Sequence, residues 1–279
     1  MPFDPLDKRN PSGALRAALR PLGHRGRVLG ARLASLAARP RRDPIVVLGH
    51  HKAGTTAVAA LLAEHLGEDV TLDMPALIDR AAETGWREDF ATRYAWYFRR
   101  GVIKDPWLTP HYERLRVALP GARFVLVVRD PRANLRSVLD RLALPGDCAG
   151  NPAGLDRLPT GWRALLSGAV EGQTHYIEGL AERWQAAATA DAAGDQLICL
   201  RYEDFNRDKE GTIAALAERL GRPGAIDISV SVDRAYQPAG RSRDVDWHAF
   251  YGSDNLQRLE RICRAGMHRF GYPPLMTKE

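Results

Sequence analysis

The chain has 279 residues, of which 45% are apolar and 27% are charged, a composition typical of a globular protein with a packed core. These values exclude a disordered chain, a collagen and a small disulfide-stabilised protein. No stretch approaches the ~20 apolar residues of a membrane-spanning helix, and the N-terminus lacks the apolar core of a secretory signal. The three cysteines are scattered along the chain, which favours a reducing compartment, and we expect a cytoplasmic protein.

The net charge of +6 is concentrated near the N-terminus. Residues 1–43 hold ten lysines and arginines against three aspartates, and the rest of the chain is close to neutral. This distribution gives no reason to expect nucleic-acid binding. We predict a basic helical extension over 1–43, with helices near 14–20 and 25–38, and a single domain over 44–279. The extension is either a solvated helical segment or an amphipathic contact with an anionic membrane or a partner.

From residue 44 onward, short apolar runs alternate with segments of helical periodicity. The runs that predict strands are Ile45–Leu48, Val102-Ile103, Phe124–Val128 and Leu197–Leu200. Fully apolar strands alternating with helices predict an α/β fold, with a P-loop-like open parallel sheet and helices on both faces. We also expect a helix beyond Trp247 and a long loop over the Gly/Pro-rich segment 143–160, close to a site.

A glycine-containing segment, Gly49–Thr56, follows the first predicted strand and precedes a predicted helix. Its glycines allow the backbone to curl so that N–H groups converge on an anion at the helix N-terminus. Against the pattern G-x-x-x-x-G-K-[ST], both glycines and the last threonine match, but Thr55 stands where the lysine belongs and Lys52 lies inside the variable stretch. An ATP-dependent kinase needs that lysine and a magnesium-binding aspartate. The loop therefore favours a smaller phosphate ester and no metal.

A second polar segment follows the predicted strand Phe124–Val128. Arg129 comes directly after the strand, where open α/β sheets bind ligands, and Pro131 suits the first turn of the next helix. Ser137 lies eight residues after Arg129, about two turns into that helix. An arginine fork with a hydroxyl forms a phosphate clamp, whereas an Arg-Asp-Pro turn taken alone also suits a local salt bridge.

Together the two segments resemble the sulfotransferases that use 3′-phosphoadenosine 5′-phosphosulfate (PAPS). In that family a Lys-x-Gly-Thr-Thr loop binds the 5′-phosphosulfate, and an Arg…Ser pair binds the 3′-phosphate. The matching residues are Lys52, Gly54, Thr55 and Thr56 in the loop, and Arg129 and Ser137 in the pair. The likeness covers roughly residues 44–221, and it is closer to the soluble bacterial members than to the membrane-anchored Golgi members.

Two looser likenesses extend the match. Lys104 ends a segment that is similar to the lysine-containing strand between the two motifs, and Tyr202 begins a Tyr-Glu-Asp segment whose tyrosine approaches the adenine in the family. Arg241 lies in a basic segment that resembles the loop closing over the nucleotide, or else is a solvated charge run. The resemblance implies Lys52 and Lys104 as catalytic residues. The nucleotide-binding residues that it implies are His51, Lys52, Ala53, Gly54, Thr55, Thr56, Arg129, Ser137, Tyr202 and Arg241.

The resemblance implies an enzyme that transfers a sulfuryl group from PAPS to a hydroxyl or amine, in line and without a metal, and releases the 3′,5′-bisphosphate PAP. The alternatives are a nucleotide or small-molecule kinase with a degenerate P-loop, and a non-catalytic nucleotide-binding module. The sequence does not name the acceptor: we expect a small molecule, a carbohydrate or a lipid, and a peptide hydroxyl stays an alternative. We expect the acceptor to bind within 143–176, where Trp162 and Tyr176 lie.

The general base does not follow from the resemblance. Cytosolic animal members place a histidine two residues after the lysine at the position of Lys104, and this chain has Pro106 there. The remaining candidates are His50, His51, Asp105 and His111. His51 suits a phosphate contact equally well, and Asp105 suits a structural salt bridge.

Overall fold

The computed structural model describes residues 23–74, 89–166, 175–190, 197–224, 226–234, 236 and 245–275. Their strands are β1 (Ile45–Leu48), β2 (Val70–Leu72), β3 (Val102–Lys104), β4 (Arg123–Val128) and β5 (Leu197–Arg201). These strands form one sheet in the order β2-β3-β1-β4-β5. The pairs β1/β3, β1/β4 and β2/β3 run parallel, with Ile45 opposite both Val102 and Arg123. The predicted α/β fold with a parallel sheet is confirmed.

Helices connect these strands and continue after the last one. The α-helices are α1 (Gly23–Ser35), α2 (Thr55–Leu66), α3 (Phe90–Arg93), α4 (Ala95–Phe98), α5 (Tyr112–Ala118), α6 (Pro131–Leu142), α7 (Thr160–Leu166), α8 (Tyr176–Ala188), α9 (Tyr202–Arg207), α10 (Lys209–Arg219) and α11 (Trp247–Phe270). Short 3₁₀ helices cover Pro106–His111 and Leu155–Arg157. None of the described helices is long and apolar enough to cross a membrane.

The described elements fall into two compact units. The first holds the sheet with α1–α5, α9 and α10. On one sheet face, α2 and α10 pack over β1 and β4, through a buried apolar cluster that includes Val47, Leu62, Val125 and Leu216. On the other face, the ring of Phe124 in β4 meets that of Tyr112 in α5, with centroids 5.1 Å apart.

The second unit holds loop residues Gly49–Ala53 together with α6, α7, α8 and α11. Helix α8 packs against the other three helices of this unit. Trp184 of α8 is buried, and a Cβ on Gly266 of α11 would lie 2.6 Å from its ring. Glycine at this position therefore permits the close approach of α8 and α11.

One strand and two helices can be compared with the sequence-based predictions. The sequence patterns do not indicate β2, because three residues with a central threonine give no apolar run. Helix α1 lies within the predicted extension, whereas the helix predicted near 14–20 lies outside the described residues. The boundary between the extension and the domain stays a prediction.

Candidate functional site

The loop between β1 and α2 has an unusual backbone. Gly49, Lys52 and Gly54 adopt positive φ angles of 150°, 68° and 95°. A lysine in the left-handed region costs of order 1–3 kcal/mol and persists only where its surroundings hold it. Helix α2 begins at Thr55 directly after the loop, and the first turn of a helix carries N–H groups that attract an anion.

Side chains from α6 and the end of β4 hold the loop in this conformation. Arg129 Nη1 donates to the carbonyl oxygen of Lys52 at 3.2 Å, and Asn134 Nδ2 donates to that of His51 at 3.1 Å. The Oδ1 atom of Asn134 also lies 2.5 Å from His50 Nδ1. Asn134 has no exposed surface, so water does not compete for these bonds. The contacts join the two motifs that the sequence analysis singled out.

Asn134 fixes the tautomer of His50. Because its amide nitrogen donates to a carbonyl, its amide oxygen accepts from Nδ1 of His50, and Nε2 carries the lone pair. This Nε2 is buried and has no hydrogen-bond partner within the described ranges. Burial, with a smaller contribution from the Arg183 guanidinium, lowers the pKa of His50 to about 4. The imidazole is therefore neutral near pH 7.

The second motif forms a salt bridge between Asp130 and Arg132. Asp130 caps α6 by accepting from the N–H of Arg132 at 2.9 Å, and its carboxylate pairs with the Arg132 guanidinium at 2.6 Å. Arg132 also pairs with the buried Glu260 of α11 at 3.0 Å. Asp130 and Arg132 thus anchor α6, while Arg129 contacts the loop.

Helices α7 and α8 contact the same part of the loop. The ring of His51 lies 5.6 Å from that of Trp162 in α7, and Trp184 Nε1 of α8 donates to the Arg129 carbonyl at 2.9 Å. Trp162, expected near the acceptor, thus meets the residue before Lys52. Tyr176 is buried, and its hydroxyl donates to the Pro145 carbonyl at 2.8 Å, so it fixes the loop after α6.

Tyr202, the first residue of α9, packs directly on Gly54. A Cβ on Gly54 would lie 2.3 Å and 2.5 Å from two carbons of the tyrosine ring. At a φ of 95° the backbone there also disfavours any side chain. Two independent constraints therefore require glycine at position 54.

At the carboxyl ends of β2 and β3 the first unit brings together three charged residues, of which Lys104 and Asp105 are buried and Asp73 is exposed. Lys104 is 2% exposed, and its Nζ donates to Asp73 Oδ1 at 2.7 Å. The carboxylate of Asp105 is buried and accepts from the N–H groups of Met74, at 2.6 Å, and Trp107, at 2.9 Å. Burial and, second, the charge of Asp73 raise the pKa of Asp105 to about 7. Asp105 is thus the cap of the following 3₁₀ helix.

Other predicted residues have less defined places. Ser137 is half-buried in α6, and no contact joins it to Arg129 in the part of the chain that the structure describes. Ala53 is buried and its N–H donates to the His50 carbonyl at 3.1 Å. His111 ends the 3₁₀ helix Pro106–His111, and burial lowers its pKa. Arg241 lies outside the described residues.

Two residues that shape these surroundings escape the sequence analysis. Asn134 lies inside the second motif, five positions after Arg129, and this position is the one signal that points to it. Asp73 is 31 positions from Lys104, and no local pattern indicates the pair. Among the described residues, no group of three or more histidines, cysteines or acidic residues could hold a metal ion.

Comparisons with known proteins give one family. The model of the Sulfotransferase family matches residues 66–226, a range that begins after the loop at Gly49–Thr56. Sulfotransferase STF9 from Mycobacterium avium is 15% identical, with 93% of this chain and 85% of that chain covered at a TM-score of 0.52, which shows a shared fold. A search of curated protein sequences found no match.

Two further solved structures are less similar in shape. Mouse sulfotransferase SULT7A1, solved in complex with PAP, is 14% identical over 85% of this chain and 88% of that chain, at a TM-score of 0.49. A sulfotransferase from Alicyclobacillus acidocaldarius is 17% identical over 81% of this chain and 96% of that chain, at a TM-score of 0.42.

Proposed function

Because this chain belongs to the sulfotransferase family, we propose that it transfers a sulfuryl group from PAPS to a hydroxyl or amine and releases PAP. The observation that supports this donor best is the hydrogen bond from Arg129 Nη1 to the Lys52 carbonyl. It joins the arginine that the resemblance assigns to a 3′-phosphate with the loop that it assigns to a 5′-phosphosulfate. A nucleotide with anionic groups on both of these positions accounts for both assignments.

The loop suits a phosphate ester. The carbonyls of His51 and Lys52 accept hydrogen bonds from Asn134 and Arg129, so their negative ends are engaged by the protein. The first turn of α2 contributes a favourable field for an anion. We assign the 5′ end of the nucleotide to the loop residues Lys52 to Thr56, the 3′-phosphate to Arg129 and Ser137, and the adenine to Tyr202.

The chain's own contribution to the reaction is electrostatic. When bound, PAPS supplies a sulfuryl group whose transfer breaks the sulfur–oxygen bond to the phosphate and forms a bond from sulfur to the acceptor. The Lys52 ammonium neutralises the charge that develops on the leaving oxygen, and the hydroxyls of Thr55 and Thr56 donate to the same group. As in phosphoryl transfer, positioning and charge stabilisation carry the reaction.

Among the candidate bases His50, His51, Asp105 and His111, we favour His51 for the proton transfer. It precedes Lys52, is half-buried, and contacts Trp162 in the segment where we expect the acceptor. His50 and Asp105 are buried. His50 is hydrogen-bonded to Asn134, and Asp105 accepts hydrogen bonds from two backbone N–H groups. We assign to His51 the removal of the proton from the acceptor hydroxyl or amine.

The experiment is a transfer assay with sulfur-labelled PAPS and a metabolite extract, run with and without EDTA. We expect labelled products in both, because no step of this mechanism uses a metal. A parallel incubation with labelled ATP and Mg²⁺ tests the alternative that the protein is a kinase. Transfer of label from ATP but not from PAPS would overturn the proposal. PAP binding without transfer to any metabolite would instead favour a non-catalytic binding module.

A further inference from the structure

Helix α1 and the turn after it present a stripe of leucines to solvent. Leu29, Leu33 and Leu36 are 58%, 59% and 85% exposed. Their spacing of four and three residues places them on one side of a helix. Leu36 continues the helical path, since its N–H donates to the Leu33 carbonyl at 3.1 Å. We call these three residues the leucine stripe.

The opposite side of α1 is docked on the protein. Ala31 and Ser35 are buried, and Ser35 Oγ donates to the Ala31 carbonyl at 2.7 Å and accepts from the N–H of Trp96 at 3.0 Å. Trp96 belongs to α4 of the same unit. The bond from Trp96 and the burial of Ala31 fix the rotation of α1, so the leucine stripe faces outward, and turning the helix to bury it would break that bond and expose Ala31.

The charged side chains of the segment that carries the stripe have one sign. Residues 23–42 contain six arginines and neither aspartate nor glutamate. Arg32, which lies between Leu29 and Leu33, and Arg39, three positions after Leu36, are exposed. Arg41 already pairs with Glu68 at 2.6 Å. Large apolar side chains together with arginines on one helix surface are typical of helices that lie in the interface of an anionic bilayer.

We propose that the leucine stripe, with Arg32 and Arg39, binds the surface of an anionic membrane. The leucines enter the boundary between headgroups and acyl chains, and the arginines reach the lipid phosphates along their aliphatic stems. Charge complementarity favours a lipid surface over a second copy of this chain, because a second α1 would bring more arginines to the contact. The inference stands apart from the proposed transfer reaction.

Sedimentation of the full chain with vesicles tests the proposal. One set of vesicles is phosphatidylcholine and the other mixes it with phosphatidylglycerol. We expect binding to the anionic vesicles, at least about tenfold weaker binding to the neutral ones, and a loss with added salt. L29S/L33S/L36S should lower the anionic partition coefficient at least about tenfold. V117S/V230S is the matched control, because these valines are also exposed but lie outside α1, and binding should not change.

Each other outcome would overturn the proposal. Equal binding to both kinds of vesicle would show that lipid charge does not contribute, and no binding to either would show that the stripe does not bind a membrane. A serine variant that binds as the unaltered chain does would place the contact elsewhere. Light scattering that shows a dimer abolished by the serine variant would make a second copy the occupant. If circular dichroism shows that the serine variant is unfolded, R32Q/R39Q replaces it, with an expected loss of about tenfold or more.

Discussion

Lys52 and Lys104, the two lysines expected at the site, are held in opposite ways. At Lys52 the protein fixes the backbone, which has a φ of 68° and a carbonyl bonded to Arg129. At Lys104 the backbone is a regular strand and the protein fixes the side chain, which is buried against Asp73. A charge that is already compensated responds less to charge developing in a ligand. On the proposed mechanism we therefore expect Lys52 to stabilise the transition state, and Lys104, which already pairs with Asp73, to organise mainly the ends of β2 and β3.

Replacing each lysine gives the largest expected effect and tests this contrast directly. K52A should lower kcat about 10²–10³-fold, the usual loss of one donor to a developing charge, while PAP affinity changes less. K104M keeps the buried aliphatic volume and should lower kcat less than about tenfold. Initial rates of labelled product formation measure both. Equal losses would place Lys104 at the reacting group as well.

Alanine substitutions at Gly54 and Gly154, with smaller expected effects, separate the cost of backbone strain from the cost of close packing in the loop that contains Lys52. Gly54 and Gly154 have similar φ angles of 95° and 90°, but a Cβ meets the Tyr202 ring at Gly54 and nothing within 4 Å at Gly154. G154A should lower the free energy of unfolding by about 1 kcal/mol. G54A should lower it by at least ~1–3 kcal/mol more, because the ring must move. Urea unfolding measures the difference, and equal losses would show that Tyr202 does not pack on Gly54.

The stability contributions of His50, in the loop that contains Lys52, and of Asp105, next to Lys104, should depend oppositely on pH. The pKa of Asp105 is raised from 3.8 to about 7, so its contribution makes the protein less stable as pH rises from 4 to 7. The pKa of His50 is lowered from 6.5 to about 4, so its contribution makes the protein less stable as pH falls from 6.5 to 4. Between these limits the two contributions oppose each other, each at up to ~1.4 kcal/mol per pH unit.

Single substitutions separate the two contributions. D105N should make stability rise more steeply with pH between about 4 and 6.5, and H50N should make it fall with pH over the same interval. H50N retains a donor for Asn134, which limits the loss of other contacts. Thermal unfolding at a series of pH values provides the slopes. Unchanged slopes in both variants would mean that neither group titrates as its burial requires.

Much of the fold follows from local sequence patterns. The apolar runs at Ile45–Leu48 and Phe124–Val128 are strands, because buried parallel strands are apolar on both faces. The segment beyond Trp247 is helix α11, as its apolar spacing indicates. Strand β2 is missed, since three residues are too short to carry a period and pairing with β3 decides their conformation.

The surroundings of the site are less accessible to such patterns. His50 and Asn134 are 84 positions apart, and Lys104 and Asp73 are 31 apart. Neither pair has a spacing that a helix or strand imposes. Tertiary packing also places Asp73 against Lys104, because nothing near Lys104 in the sequence indicates this partner. The motifs thus predict which residues meet a ligand, but not how the protein holds them.

Calorimetric titration of PAP and AMP tests the donor most directly. If Arg129 binds a 3′-phosphate through two charge-assisted hydrogen bonds, which contribute roughly 1.5–3 kcal/mol each, the unaltered protein should prefer PAP by about 10²–10⁴-fold. R129A should erase most of that preference and leave AMP affinity nearly unchanged, which also verifies that the loop stays intact without the bond to Lys52. Equal affinity of the unaltered protein for PAP and AMP would contradict the 3′-phosphate assignment and, with it, PAPS as the donor.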